Sequence, residues 1–371
     1  MMSGITDTKY MGIALKLAEK AKGLTSPNPA VGAVIVKNNR IIGRGYHKKA
    51  GLHHAEIEAI NDARKKVSSL KGTTLYVTLE PCCHKNKKTP PCINALLKED
   101  FARVVIGTLD KNPHVKGTSV RILKRNKIEV KIGVLEDKCN KLNEAFFKFI
   151  TRRIPFVTLK TAATMDARIS TSTGDSKWIG SEKQREFAHR LRYENDAVIV
   201  GINTVIKDNP MLNIRHIQTT KQPVAVVLDS NLRIPPDSNL VTRRAGTIIF
   251  VSEKTKKKSK RNELARLGVS IIDIKSYKSG GLNLLQVVKK LGALGITSVL
   301  VEGGSQVVTS FLKKGLADKI VFFYSPKIVG GDGTAMVGKL GIKKIKDSIL
   351  LTDVDIKIFD GEIMFTGYII I

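Results

Sequence analysis

The chain has 371 residues, with 63 Lys and Arg against 33 Asp and Glu, for a formal net charge of +30. Its 42% hydrophobic and 26% charged residues exclude a largely disordered chain, and four cysteines do not make a disulfide scaffold. No apolar run approaches the ~18 residues needed to span a bilayer, and the N-terminus lacks the pattern of a signal peptide, so a cytoplasmic protein of two domains is expected.

Met11, Ala14, Leu15, Ala18 and Ala21 recur at helical spacing over residues 8–22. Val31 to Val36 and Ile41 to Tyr46 flank the polar turn Lys37-Asn38-Asn39-Arg40 and predict a hairpin. A helix is expected from His54 to Lys66, a strand over residues 73–79, a helix from Cys92 to Lys98, a strand from Arg103 to Gly107 and a helix from Val120 to Asn126. A second strand series follows Pro155, starting at Phe156, Asp196, Val224, Thr247, Val269, Ser298 and Lys319, with a helix from about Gln306 to Lys314. Alternation of strands and helices predicts α/β architecture in both halves, divided as 1–150 and 151–371.

The sharpest chemistry lies in His54-Ala55-Glu56, Glu80-Pro81-Cys82 and Pro91-Cys92. One imidazole and two thiolates suit Zn2+ with a fourth position left for water, whose pKa the metal lowers until hydroxide is available. Glu56, which is not a ligand, is the catalytic proton carrier of this pattern. The set His-x-Glu with Pro-Cys and a second Cys is the signature of zinc nucleobase deaminases. Cys83 competes with Cys82 as a ligand, and Cys82 is favoured because it follows Pro81. Cys139, far from the motif, reads as core.

Short deaminases of this kind have two residues between their cysteines, whereas here residues 83–91 intervene. That loop, together with Pro27-Asn28-Pro29-Ala30, His47-Lys48-Lys49-Ala50-Gly51 and Asp110-Lys111-Asn112-Pro113-His114, resembles the bifunctional deaminase/reductase of riboflavin biosynthesis over essentially the whole chain. The resemblance implies a cytidine-deaminase-like three-layer N-terminal domain and a dihydrofolate-reductase-like C-terminal domain. It implies hydrolytic deamination of 2,5-diamino-6-(5-phosphoribosylamino)pyrimidin-4(3H)-one, with Asn28, His47, His84, Lys88, Asp110 and Asn112 lining the substrate pocket. The Cys82–Cys92 interval is one residue longer than the family's usual spacing, with Asn86-Lys87 in the loop where a Gly is common.

In the second half, Gly303-Gly304 at a strand-to-helix junction lets backbone N–H groups approach a phosphate, although such a pair is weak by itself. No Gly-x-Gly-x-x-Gly follows the first strand, so the dinucleotide fingerprint of the Rossmann fold is absent. The resemblance implies reduction of 5-amino-6-(5-phosphoribosylamino)uracil by NADPH, which opens the ribosyl unit to ribityl. It places Ala162, Trp178, Thr204, Asp208, Ser230 and the run Gly304, Ser305, Gln306, Val307, Val308, Thr309, Ser310 on the cofactor. It places Ser176, Arg192, Leu212, Arg215 and Glu302 on the substrate, with the two arginines converging on the sugar phosphate. Asp208 and Glu302 are candidate proton donors, and Lys160 lies where it could assist. Trp178 reads alternatively as a core residue. Ala167 stands where the family usually has Gly, which implies modest strain if φ there is positive.

The positive charge is shared equally, +15 on each side of residue 150, and comes from 45 Lys and 18 Arg. Its densest run, Lys254 to Arg261, holds no aromatic residue and reads as a solvated loop, with polyanion binding as the alternative. Phosphorylated pyrimidine ribotides are the expected partners, with no nucleic acid and no membrane, and the resemblance implies a homo-oligomer. The competing readings are a tRNA or nucleoside deaminase with a basic recognition domain, and a non-enzymatic nucleic-acid-binding zinc protein.

Overall fold

The structure, a computed structural model, describes residues 2–84, 90–243, 245–277 and 280–370, with no description of the side chains of residues 2–5. The chain forms two compact units, Met1–Arg153 and Ile154–Ile371.

In the first unit the order is α1 (Met2–Glu19), β1 (Gly32–Lys37), β2 (Arg40–Tyr46), α2 (Ala55–Arg64), β3 (Thr74–Leu79), α3 (Cys92–Lys98), β4 (Arg103–Thr108), α4 (Thr118–Arg125), β5 (Glu129–Ile132), α5 (Glu136–Leu142) and α6 (Glu144–Arg152). The strands form one sheet in the order β2-β1-β3-β4-β5. Period-two alternation sends Ala33, Ile35, Leu75, Val77, Val104 and Ile106 to one face, where they meet α2, α3 and α4. Val34, Val36, Tyr76 and Val105 point the other way, onto α1 and α5. Three layers result, as expected.

Two glycines set how closely α2 lies on β2. A Cβ on Gly43 would sit 2.4 Å from Ala59 O, and one on Gly45 would sit 2.3 Å from Ala55 O and 2.4 Å from Ala59 N. The missing methyls let the first turn of α2 rest directly on the strand. On α1, buried Asp7 accepts from Arg103 Nη1 and Nη2 at 2.8 and 3.0 Å, Lys131 Nζ at 2.7 Å and Tyr76 OH at 2.9 Å, tying the helix to β3, β4 and β5.

The second unit runs β6 (Phe156–Thr164), β7 (Arg168–Ser170), α7 (Glu182–Glu194), β8 (Ala197–Gly201), α8 (Ile202–Asp208), β9 (Val224–Leu228), α9 (Asn239–Thr242), β10 (Thr247–Ser252), α10 (Lys258–Arg266), β11 (Ser270–Ile274) and α11 (Leu284–Ala293). It continues with β12 (Ser298–Val301), α12 (Ser305–Lys313), β13 (Lys319–Ser325), β14 (Thr334–Ala335), β15 (Leu351–Phe359) and β16 (Glu362–Ile369). The main sheet has the order β11-β10-β9-β8-β12-β6-β13-β16-β15. It is parallel from β11 to β13, then antiparallel through β16 to β15. Helices α11 and α12 cover one face, while α7, α8 and α10 contribute to clusters on the other. Burial on both faces explains why β8, β9, β10 and β12 read as continuous apolar runs.

The basic run is not all loop: from Lys258 it forms the first turn of α10, and Arg261 pairs with Asp273 at 2.5 Å. Among the described residues, no helix is long and apolar enough to cross a membrane.

Candidate active sites

His54 is the N-cap residue of α2, but its side chain makes no capping bond. The ring turns instead toward two thiols, with Nδ1 3.2 Å from Cys92 Sγ and 3.5 Å from Cys82 Sγ. Cys82 follows β3 after Glu80-Pro81, and Cys92 is the first residue of α3. Pro91 is the N-cap residue before it, as the expected helix from Cys92 requires. The Cys92 N–H donates to Cys82 Sγ at 3.3 Å, so the helix start supports the neighbouring sulfur as well. One atom from each of His54, Cys82 and Cys92 lies within 4.8 Å of the others. One nitrogen and two sulfurs at this separation, all on rigid element ends, fit a single Zn2+. Cys83 turns away, toward His114 O at 4.0 Å, which leaves Cys82 in the cluster. Cys139 is fully buried against Gly107, and burial pushes its thiol up to about 12.

Glu56, the second residue of α2, is buried and hydrogen-bonded to Cys92. Burial, and then the Cys82 sulfur, push its carboxyl above the usual range. His47 sits beside the cluster with its ring 5.1 Å from that of His54. Its Nδ1 lies 3.0 Å from His53 O and its Nε2 3.2 Å from Asn28 Nδ2. Both ring nitrogens of His47 are thus held, one by a backbone carbonyl and one by the Asn28 side-chain amide.

Asp110 and Asn112 line a loop they also shape: Asp110 Oδ1 accepts from Asn112 N at 2.8 Å, and Asn112 Oδ1 from His114 N at 3.1 Å. Glu80 is buried just past the end of β3 and has a role that its position in the motif does not announce. Its carboxylate accepts from Gly117 N at 2.9 Å, Ser119 N at 3.1 Å and Asp110 N at 3.3 Å. His84 lies at the last described position before residues 85–89, and Lys88 falls outside the described residues.

In the second unit a cavity of about 1010 Å3 opens at the carboxyl ends of the parallel strands. Thr204, Asp208, Ser230, Ser176 and the run Gly304 to Val307 line it, with Ser310 further along α12. The first turn of α12 borders it, and a helix start is a natural seat for a phosphate. Gly303 is required just before: a Cβ there would lie 2.5 Å from Val307 Cβ. Two members of the expected run do not line this cavity. Val308 packs in the core, and Thr309 bonds Ser305 O at 2.6 Å because helical periodicity turns both inward.

Ala162 packs near Phe323, away from the cavity lining. Trp178 also stands apart from the lining and is no core residue, since it is 67% exposed with the Arg185 guanidinium 4.8 Å from its ring. Leu212, at φ 46, is buried in the core. Ala167 has φ 60, the left-handed region, where a Cβ costs roughly 1–2 kcal/mol.

The Arg192 guanidinium is engaged within the protein. Arg192 gives Nε and Nη2 to Glu302 at 2.6 and 2.8 Å, and Nη1 to Asn213 O at 3.0 Å. Arg215 is exposed. Burial alone would raise the Glu302 carboxyl, but the Arg192 charge and hydrogen bonds hold it at about 2. Lys160 is close enough to feel both, and burial lowers its pKa.

Residues 5–108 match the family of the cytidine and deoxycytidylate deaminase zinc-binding region, and residues 155–365 match the RibD C-terminal domain. The riboflavin biosynthesis protein RibD of Aquifex aeolicus is 47% identical over 344 residues, 92% of this chain and 93% of that protein. The Escherichia coli protein of the same name is 34% identical over 354 residues, 92% of this chain and 94% of its own. A solved Thermotoga maritima structure, described as a diaminohydroxyphosphoribosylaminopyrimidine deaminase and 5-amino-6-(5-phosphoribosylamino)uracil reductase, superposes with TM-score 0.87 at 37% identity, covering 99% of this chain and 100% of that one. Acinetobacter baumannii RibD superposes with TM-score 0.87 at 34% identity and the same coverage.

Proposed function

The chain belongs to the RibD family of riboflavin-biosynthesis proteins, and from that premise we propose that its first unit deaminates the diaminopyrimidine ribotide and its second reduces the product. The observation that carries this reading is the His54, Cys82, Cys92 cluster with a buried carboxylate, Glu56, beside it.

Zinc held by the cluster supplies a Lewis acid that makes water a nucleophile near neutral pH. The rest falls to the chain's own residues. Deamination adds water and releases ammonia, so a proton must pass from the attacking oxygen to the leaving nitrogen, and Glu56 is placed to carry it. His47 and Asn28 form a fixed pair at the edge of the site, able to orient the ring. Asp110 and Asn112 hold the opposite loop rigid.

In the reductase, NADPH supplies the hydride. The cavity seats the cofactor, with Thr204, Asp208, Ser230 and the start of α12 along its walls. Arg215 is assigned to the substrate phosphate, while Arg192 serves to keep Glu302 ionised. A carboxylate held at about 2 has no proton to give near neutrality, so Glu302 is set aside as the proton donor, which leaves Asp208 on the cavity wall with Lys160 assisting. Incubation of the zinc-loaded protein with the diaminopyrimidine ribotide, with and without NADPH, tests both halves. Ammonia release without NADPH, and NADPH oxidation only after deamination, are expected. Absence of both reactions would overturn the reading.

The free cysteines support a reducing, cytoplasmic setting, and the edge of the sheet supports a homo-oligomer. Strand β15 pairs only with β16, and it exposes Val354, Ile356 and Ile358 on one face. A second copy running antiparallel about Ile356 would set Asp355 against Lys357 in both directions and close both edges. Sedimentation tests this: Ile356→Lys should yield monomer, and an unchanged mass would exclude β15 as the interface.

A further inference from the structure

Residues 213–215 belong to no strand, yet side chains hold them as neighbouring strands would. Asn213 O accepts from Arg192 Nη1 at 3.0 Å. Ile214 N donates to Gln222 Oε1 at 2.8 Å, and Ile214 O accepts from Gln222 Nε2 at 3.3 Å. Arg215 N donates to His189 Nδ1 at 3.2 Å. His189 and Arg192 stand one turn apart on α7, so one helix face fixes both ends of the segment while Gln222 fixes its middle. Arg192 is already fastened to Glu302 at the end of β12, and that bond anchors the arrangement to the centre of the sheet.

The ring of His189 is buried, 3% exposed, with the ring of His216 4.6 Å away. To accept the Arg215 N–H its Nδ1 must be unprotonated. The charged and titratable groups that face it are Arg192 on its own helix, Arg215 and His216 on the segment, and Glu302 from the sheet. Burial, then the charge of Arg192, push its pKa down to about 4, so the ring stays a neutral acceptor through the working range. Neutrality has a use here. A carboxylate at this position would accept the same N–H, but its charge would draw the two guanidinium groups toward itself. Imidazole grips the backbone and leaves the arginine charge available to an outside anion.

We propose that His189 is a positioning residue of the reductase, fixing the backbone at Arg215 so that its guanidinium is presented to the phosphate of the substrate. The proposal rests on the reading of Arg215 as a phosphate-binding residue. His189 touches neither substrate nor cofactor in this scheme and acts only through the segment it holds.

The test uses full-length, zinc-loaded protein and the deaminated ribotide, with NADPH oxidation followed while each of the two substrates is varied in turn with the other saturating. His189→Ala should raise KM for the ribotide about tenfold or more, with kcat changed less than threefold and KM for NADPH unchanged. His189→Asn, whose Oδ1 takes the place of Nδ1, should recover KM to within threefold. A merely structural histidine would give no such recovery, or would lose kcat and both KM values together. Arg215→Ala should raise the ribotide KM at least as much as His189→Ala, and the double variant should be no worse than Arg215→Ala, since both changes act on one contact. If Arg215→Ala leaves KM unchanged, the phosphate reading fails and the proposal with it. If Arg215→Ala raises KM while His189→Ala does not, or if the two losses multiply, the phosphate reading stands and the role of His189 is refuted. Should His189→Ala not fold, His189→Asn and His189→Leu decide the matter by the same KM contrast.

Discussion

Gly45→Ala is a single methyl placed where the first turn of α2 touches β2. The new Cβ would start 2.3 Å from Ala55 O and 2.4 Å from Ala59 N, both backbone atoms that no rotamer change can move aside. Ordinary contact begins at 3.4 Å, so α2 must retreat by roughly 1 Å. Overpacking of this kind costs about 1–3 kcal/mol. The functional effect is larger, because the displaced turn carries Glu56 and follows directly from His54. A misplacement of about 1 Å lowers a rate on the order of 10²-fold. Deaminase kcat should therefore fall by about two orders of magnitude, while the reductase rate, measured on the same preparation with deaminated substrate, holds. Gly12→Ala is the control: nothing lies within 4 Å of its Cβ, and in the interior of α1 it should raise stability by up to about 1 kcal/mol. A Gly45→Ala protein with wild-type deaminase kcat and zinc content would show that the fit of α2 on β2 does not set the site.

Three further outcomes follow from the same geometry. Glu56→Gln should abolish ammonia release, by a factor of about 10² or more, yet leave zinc content and NADPH oxidation intact; loss of both activities in folded protein would contradict separate sites. Gly303→Ala, whose Cβ meets Val307 at 2.5 Å, should raise KM for NADPH severalfold with little change in ribotide KM, and an unchanged cofactor KM would place the cofactor elsewhere. Asp7 is held at about 2 because the bonds from Arg103, Lys131 and Tyr76 outweigh its burial. A depressed carboxylate stabilises above its ordinary value of 3.8 and loses that contribution as pH falls toward 2, so the unfolding free energy of wild type in urea should approach that of Asp7→Asn across this window and exceed it at pH 6 by about 1–3 kcal/mol. A gap that is constant from pH 6 to 2 would refute the ionic origin.

What sequence could reveal here depended on whether an element's burial follows its apolar residues. The central strands such as β1, β3, β4, β8, β9 and β10 announce themselves because both faces of the sheets are covered there, whereas β5 and the short β7 are only partly buried and leave no apolar run. Helix α7 does not: it buries Gln184, Ala188 and His189, so its inward face carries little of the apolar stripe that marks a helix. Helix α10 hides in a basic run because Leu264 is its buried residue. The edge strand β15 alternates correctly, but its apolar side faces outward. The zinc ligands were legible from type and spacing, since metal chemistry restricts both. The Arg192–Glu302 pair spans 110 positions and the Glu80 contacts run to backbone N–H groups, so neither leaves a pattern along the chain.

Glu80 bears on how this family can vary in length. It stands two residues before Cys82 and fastens the Asp110–Ser119 loop by backbone bonds alone. The fastening point therefore precedes, in chain order, the stretch between the two cysteines. A change of length in that stretch would leave all three bonds in place, because neither end of any of them lies within it. The loop that carries Asp110 and Asn112 is thus held by a carboxylate whose partners are independent of the spacing of the cysteines.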